Sequence, residues 1–130
     1  MSGYLLDTHT LLWFDGSPAR LTNSTRALLE TTNEIVYISA MSLWEMGIKY
    51  RAGKFPEAAD MVERWFERTA QLHLKELALT SLHAREAALL EWEHKDPFDR
   101  ALAAQSRVEH LTLVTADQAF STLSSLKTLW

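Results

Sequence analysis

Three short apolar runs are bounded by polar residues: Tyr4-Leu5-Leu6 ending at Asp7, Ile35-Val36-Tyr37-Ile38 ending at Ser39, and Leu111-Thr112-Leu113-Val114 ending at Thr115. Two are rich in β-branched residues, and each is followed by sequence of helical character, the pattern of buried parallel strands. A weaker fourth strand is expected near Glu76 to Leu79, and an edge strand at Lys127 to Trp130. Between these runs the period turns helical. Met61, Val62, Trp65, Phe66 and Thr69 recur on one face of a surface helix, with Asp60 and Arg64 spaced i,i+4 outside it. Arg26 to Thr31, Met41 to Arg51, Ser81 to Leu90 and Phe98 to Glu109 follow the same rule, and Gly53-Lys54-Phe55-Pro56 marks a stop and restart. Strands alternating with one or two helices predict an α/β fold, a three-layer α/β/α sandwich around a parallel sheet with right-handed crossovers.

Composition narrows the class. The 130 residues suit one domain, residues 1–130, and 47% hydrophobic against 23% charged residues describes a folded chain. With no Cys, disulfides, thiolate metal sites and cysteine nucleophiles are excluded, and a reducing, cytoplasmic location is expected. The uncharged stretch Ile35 to Trp44 falls well short of the ~18 residues of a membrane span, and Met1-Ser2-Gly3-Tyr4 lacks the pattern of a signal peptide. Net charge is −4, which argues against a surface that coats nucleic acid broadly. An acidic chain still acts on a polyanion when its carboxylates hold divalent cations, since each ion reverses the local sign.

Ligands of open parallel sheets bind beyond the carboxyl ends of the strands. Asp7 closes the first run, Asp117 lies two residues past Thr115, Glu45 falls six residues past Ser39, and Asp96 and Asp99 open another helix in His94-Lys95-Asp96-Pro97-Phe98-Asp99-Arg100. Each has a structural reading as well. Ser42-Leu43-Trp44-Glu45 matches a capping box and Glu45 pairs with Lys49 at i,i+4. Asp96 before Pro97 suits a cap, Asp99 complements the helix dipole, and Asp117 caps a short helix of its own. Asp7 is expected half-buried at the sheet edge, where an unpaired carboxylate is costly. Several carboxylates at one rim would raise one another's pKa unless a cation held them, and hard oxygen donors favour Mg²⁺ or Mn²⁺. No Gly-rich phosphate loop, GxGxxG fingerprint or Gly-x-Ser-x-Gly elbow is present.

Leu5-Leu6-Asp7-Thr8-His9, Ser42-Leu43-Trp44-Glu45 with Ile48-Lys49 and Gly53-Lys54-Phe55, His94 through Arg100 with Leu102-Ala103-Ala104-Gln105, and Leu113-Val114-Thr115-Ala116-Asp117 together resemble a PIN-domain ribonuclease of the VapC toxin type, in order over nearly the whole chain. The resemblance implies a metal-dependent endoribonuclease with Mg²⁺ or Mn²⁺ as cofactor, leaving 5′-phosphate and 3′-hydroxyl ends. It implies Asp7, Glu45, Asp99 and Asp117 as the catalytic and metal-holding acids, Thr115 and Thr8 as orienting hydroxyls, and Asp96 as a cap or outer group. It also implies a homodimer silenced by a VapB-type antitoxin seated in an apolar groove. Ala116 departs from the subgroup, which often carries a basic residue there. Lys49, Arg51, Lys54 and Arg100 are candidates for RNA phosphate contacts, each balanced by a reading as solvated helix-end charge. Among the five histidines only His9 is placed near the proposed metals. The Trp residues read chiefly as core or interface, and the helices bearing Met41, Trp44 and Ile48, or Met61, Trp65 and Phe66, supply either the groove or core.

Three rival readings remain. A phosphoreceiver-like signalling domain gathers acids at strand ends but needs adjacent acids after the first strand, where Thr8 and His9 stand. A haloacid-dehalogenase-like phosphatase needs a second Asp where His9 is. The non-enzymatic rival is a metal- or partner-binding module without turnover.

Overall fold

The computed structural model describes residues 2–130. Along the chain, β1 (Tyr4–Leu6) leads into α1 (Thr8–Gly16) and α2 (Asn23–Thr31). Then β2 (Val36–Ser39) leads into α3 (Ala40–Arg51), α4 (Ala59–Glu63) and α5 (Trp65–Gln71), and β3 (Lys75–Leu77) into α6 (Ser81–Leu89) and α7 (Pro97–Glu109). Finally β4 (Thr112–Val114) connects through a 3-10 turn at Gln118–Thr122 to β5 (Thr128–Leu129). The five strands form one sheet in the order β3-β2-β1-β4-β5 with every pairing parallel. The weak fourth strand and the edge strand expected from the sequence are β3 and β5.

Alternate strand residues enter opposite cores. Leu6, Ile38 and Val114 pack with Leu11, Leu12, Leu29, Met46, Met61 and Trp65 on one face. Leu5, Tyr37 and Leu113 pack with Leu90, Leu102, Ala103, Phe120 and Leu123 on the other. Both faces of the central strands are therefore covered, which is why these runs are apolar throughout instead of alternating, and why the fold has three layers.

Two local expectations change. The surface helix predicted over Met61 to Thr69 is kinked at Arg64, whose φ of −123° and ψ of 36° leave helical space. Its i to i+4 bonding continues across the kink, through Arg64 N to Asp60 O and Arg68 N to Arg64 O, both 2.8 Å. The capping box at Ser42 to Glu45 is not formed. The helix begins three residues earlier, because Ser39 is both the last residue of β2 and the cap of α3, its hydroxyl accepting from Met41 N at 3.0 Å.

Gly3 sets the entry to the central strand. Its φ is +136°, and a Cβ built there would lie 2.6 Å from the carbonyl oxygen of Ile35, the oxygen that accepts from Tyr4 N at 3.0 Å. A side chain is thus excluded by both backbone conformation and space. Gly3→Ala is expected to lower the unfolding free energy by more than about 1 kcal/mol, measured as a lower urea midpoint at unchanged slope. An unchanged midpoint would show that the β1 entry relaxes freely.

Candidate active site

Because every strand runs the same way, the five carboxyl ends share one rim. The chain winds outward from β1 through β2 to β3, then crosses back to β4 on the other side of β1, so strand order reverses beside β1. Asp7 follows β1 directly and Thr115 follows β4 directly, on either side of this switch point, where crevices of open α/β sheets form.

Asp7 is more buried than a sheet-edge position suggests, at 7% exposure. It caps α1, one carboxylate oxygen accepting from Thr10 N at 2.8 Å, while the other accepts from the Thr115 hydroxyl. Among the described residues no cation lies within ion-pair distance of it. Burial pushes its carboxyl above the ordinary 3.8, against the lowering effect of the Thr115 and Thr10 hydrogen bonds and of His9. The cause is therefore desolvation, not crowding by other acids.

The neighbouring residue carries the arrangement onward. Thr8 donates its hydroxyl to Glu45 Oε1 at 2.6 Å, and Glu45 Oε2 accepts from Lys49 Nζ at 2.6 Å, realising the expected i,i+4 pair. Glu45 is 5% exposed, on the second turn of α3. Asp99 lies in the first turn of α7, which Asp96 caps by accepting from Phe98 N and Asp99 N at 2.8 and 3.2 Å. Asp99 Oδ2 is 2.6 Å from His94 Nε2. Burial pushes the Asp99 carboxyl up to about 6; the His94 hydrogen bond opposes this, and the charges of Asp96 and Glu45 add to it. That last effect places Asp99 within electrostatic reach of Glu45. Asp117 is exposed; it caps the 3-10 turn through Ala119 N at 2.9 Å, and its own N–H donates to Thr115 Oγ1 at 3.0 Å. Asp7, His9, Trp13, Ala116 and Asp117 line an open cleft of about 280 Å³.

Thr115 thus joins Asp7 to Asp117, Thr8 sits between Asp7 and Glu45, and Glu45 feels Asp99. As the side chains stand, no three acids or histidines among the described residues are gathered closely enough to hold a metal ion. Each acid is turned to an internal partner instead. The donor set nonetheless fits a hard cation: the acids offer carboxylate oxygens only, and for the most buried strand-end one, Asp7, desolvation outweighs its hydrogen bonds and the weak effect of His9, with no ion pair among the described residues to offset it.

The predicted phosphate contacts divide. Arg51 and Lys54 are exposed at and just past the C-terminal end of α3, and Lys49 is engaged with Glu45 and lies 5.1 Å from the centre of the Phe55 ring. Arg100 does not face solvent as a phosphate contact. Its guanidinium donates to four carbonyls, those of Ala87 (2.9 Å), Leu90 (2.7 Å), Trp92 (2.9 Å) and His94 (3.0 Å), and so holds the connection between α6 and α7. Three of these carbonyls lie in the irregular connection and that of Ala87 in the last turn of α6; the Leu90 carbonyl also accepts from Trp92 N at 3.0 Å, and the fork of guanidinium donors reaches all four. His94, not only His9, stands at the acids. It lies in that irregular connection, five residues before Asp99, so no helical spacing marks it in the sequence. Of the apolar helix residues, Met41, Met61 and Trp65 are core, whereas Trp44, Ile48 and Phe66 are exposed.

Residues 4–126 match the PIN domain model, and the chain belongs to the PIN domain family. It is 27% identical over 119 residues to Ribonuclease VapC22 of Mycobacterium tuberculosis, covering 91% of this chain and 89% of that protein. The fold is that of VapBC2 from Rickettsia felis, solved bound to a DNA fragment from its promoter, with a TM-score of 0.68 at 19% identity over 98% of both chains. It is likewise that of Mycobacterium tuberculosis VapC20, a toxin that cleaves the sarcin-ricin loop, with a TM-score of 0.62 at 14% identity over 95% of this chain and 98% of that one.

Two outcomes follow from the geometry. A carboxyl whose folded pKa is raised weakens the folded state above that pKa and ceases to do so below its unfolded value of 3.8. In EDTA, Asp7→Asn should therefore melt above the wild type at pH 7, since Asn caps equally well, with the difference shrinking as pH falls toward 4; a lower melting point at pH 7 would overturn the assignment of burial as the dominant effect. Arg100→Ala should cost on the order of 3 kcal/mol, because four carbonyls lose a charged donor, and denaturant unfolding gives that value directly.

Proposed function

We propose that the protein is a metal-dependent endoribonuclease, the toxin of a VapBC-type toxin–antitoxin module, acting in the cytoplasm with Mg²⁺ or Mn²⁺ held by Asp7, Glu45, Asp99 and Asp117. The observation that carries this reading is the buried Asp7 carboxylate, without a cation, at the switch point of a PIN-family sheet. Similarity along nine-tenths of the chain to Ribonuclease VapC22 supports RNA as the substrate, and structural likeness to toxins solved with their antitoxins supports a VapB-type partner.

A divalent cation held at such a site would supply Lewis-acid activation of water and charge compensation for the phosphate. The chain's own residues do the rest. Asp7 and Asp99 would hold the cation, with Glu45 and Asp117 completing the acidic set. Thr115 orients Asp7 and Thr8 orients Glu45, each by donating its hydroxyl to a carboxylate oxygen. Lys49 offsets Glu45, and His94 holds Asp99 in one rotamer from the segment that Arg100 anchors. Arg51 and Lys54 supply positive charge for RNA phosphates where the net charge does not. The exposed Trp44 and Ile48, together on one face of α3, and Phe66 on α5 are the apolar surface offered to the antitoxin or to a second copy.

Purified protein freed of any antitoxin should cut a structured RNA pool with Mg²⁺ or Mn²⁺ and not with EDTA. Asp99→Asn should reduce cleavage more than about a hundredfold, beyond the loss typical of an outer partner. Asp96→Asn, which keeps the cap, should lose far less. Cleavage that persists in EDTA or in Asp99→Asn would refute the metal-holding role, and a folded protein inert toward RNA under all conditions would favour the binding module.

A further inference from the structure

The acidic rim adjoins a row of aromatic rings. The open cleft of about 280 Å³ that holds Asp7 and Asp117 is otherwise lined by His9, Trp13 and Ala116, so its remaining surface is two rings and one methyl group. His9 and Trp13 are spaced i,i+4 on α1, the helix that Asp7 caps, and their ring centroids are 5.8 Å apart. Each meets a further ring: His9 meets Phe55 edge-on at 5.4 Å, and Trp13 meets Trp130 at 5.7 Å. These are the spacings of favourable aromatic pairs, and they brace Phe55, His9, Trp13 and Trp130 against one another before any ligand arrives.

Core packing accounts for only part of this row. Phe55, Trp13 and Trp130 pack in part against the core, but His9 is exposed. Neither the His9 ring nitrogens nor the Trp13 indole N–H has a hydrogen-bond partner among the described residues. The Arg20 guanidinium lies 4.6 Å from the centre of the Trp13 ring and has no carboxylate partner, which leaves its N–H groups free. Asp7 and Asp117 give the cleft negative charge, which turns away a free anion but not a flat, neutral heterocycle, and an aromatic surface receives the face of such a group whatever its sequence identity. A base inside a duplex is already stacked on both faces, so the ligand that fits is an unpaired nucleotide.

We propose that His9 and Trp13 stack an unpaired nucleobase of the substrate beside the acidic rim, with Arg20 contacting a neighbouring phosphate, so that the strand is held for cleavage in single-stranded or loop segments; this rests on the RNA-cleaving reading above. A short single-stranded RNA and an abasic ribose-phosphate strand of the same length, both titrated by anisotropy in EDTA, separate stacking from charge. Trp13→Leu should weaken RNA binding about tenfold and His9→Ala about fivefold, with the abasic strand unaffected in both. Trp13→Phe, which keeps a ring, should retain most of the affinity. His9→Ala changes an exposed position, so it carries the test if the loss of Trp13 loosens the core, which the melting temperature reports. Arg20→Gln should weaken both strands alike and reduce the slope of log affinity against log salt by about one. Undetectable RNA binding, equal affinity of the wild type for the two strands, or RNA affinity unchanged in both Trp13→Leu and His9→Ala would overturn the proposal. Because the titration contains no metal, the two readings fail separately. Metal-dependent cutting with unchanged binding in both variants removes the stacking role and leaves the nuclease, whereas base-dependent binding lost in both variants of a protein that cuts no RNA keeps the stacking site and removes the nuclease.

Discussion

The burial of the Asp7 carboxylate is the constraint around which the rim is built. An ionised group at that depth is tolerated only where its oxygens are hydrogen-bonded, and here the bonds come from two directions. Thr10 N–H ties the carboxylate to the first turn of α1, and the Thr115 hydroxyl ties it to the end of β4. One side chain therefore fixes where the helix begins, how it leaves the sheet, and how closely the carboxyl ends of β1 and β4 approach. Thr10 reinforces the same junction by donating its hydroxyl to Val114 O at 2.9 Å.

Structural and chemical readings of the acids turn out to be compatible. Asp7, Asp96 and Asp117 each cap a helical segment, and a cap places a carboxylate at a helix N-terminus, where the backbone field favours its charge. In a parallel sheet those N-termini face the rim. The fold thus gathers acids there for reasons of local stability, before any ligand is considered. Glu45 and Asp99 are different: neither caps anything, both are substantially buried, and each needs a cationic or imidazole partner from its own neighbourhood.

The sequence made the layers and the acids legible because both depend on short-range pattern. Leu5-Leu6, Tyr37-Ile38 and Leu113-Val114 are apolar on both faces, which only a covered parallel strand requires, and the acids follow at strand ends or helix starts. What stayed hidden was decided by segments without a period. Ser39 caps α3 because the strand passes into the helix with no loop, so the Ser42 pattern fell inside the helix. The role of Arg100 depends on four carbonyls in the last turn of α6 and the α6–α7 connection, and carbonyls carry no sequence signature. His94 reaches Asp99 only because that connection folds back. The cause of the raised Asp7 pKa was also a matter of depth, which periodicity does not report.

The rim holds its charge in two dissimilar halves, and this bears on how a cation would be received. Asp7 has only neutral hydroxyl and amide donors, so a cation arriving there displaces no internal charge. Glu45 and Asp99 already have Lys49 and His94, so a cation must compete with those partners or share the carboxylates with them. A cation therefore has most to gain at Asp7, and the threonines on either side transmit the consequence. Thr115 links Asp7 to the backbone of Asp117, while Thr8, the next residue along, holds Glu45. Threonine suits both places because one hydroxyl both donates and accepts: Thr115 donates to Asp7 while accepting from Asp117 N, so the two acids cannot shift independently. The acidic set is accordingly organised from its most buried member outward, by neutral donors that cost no charge to bury.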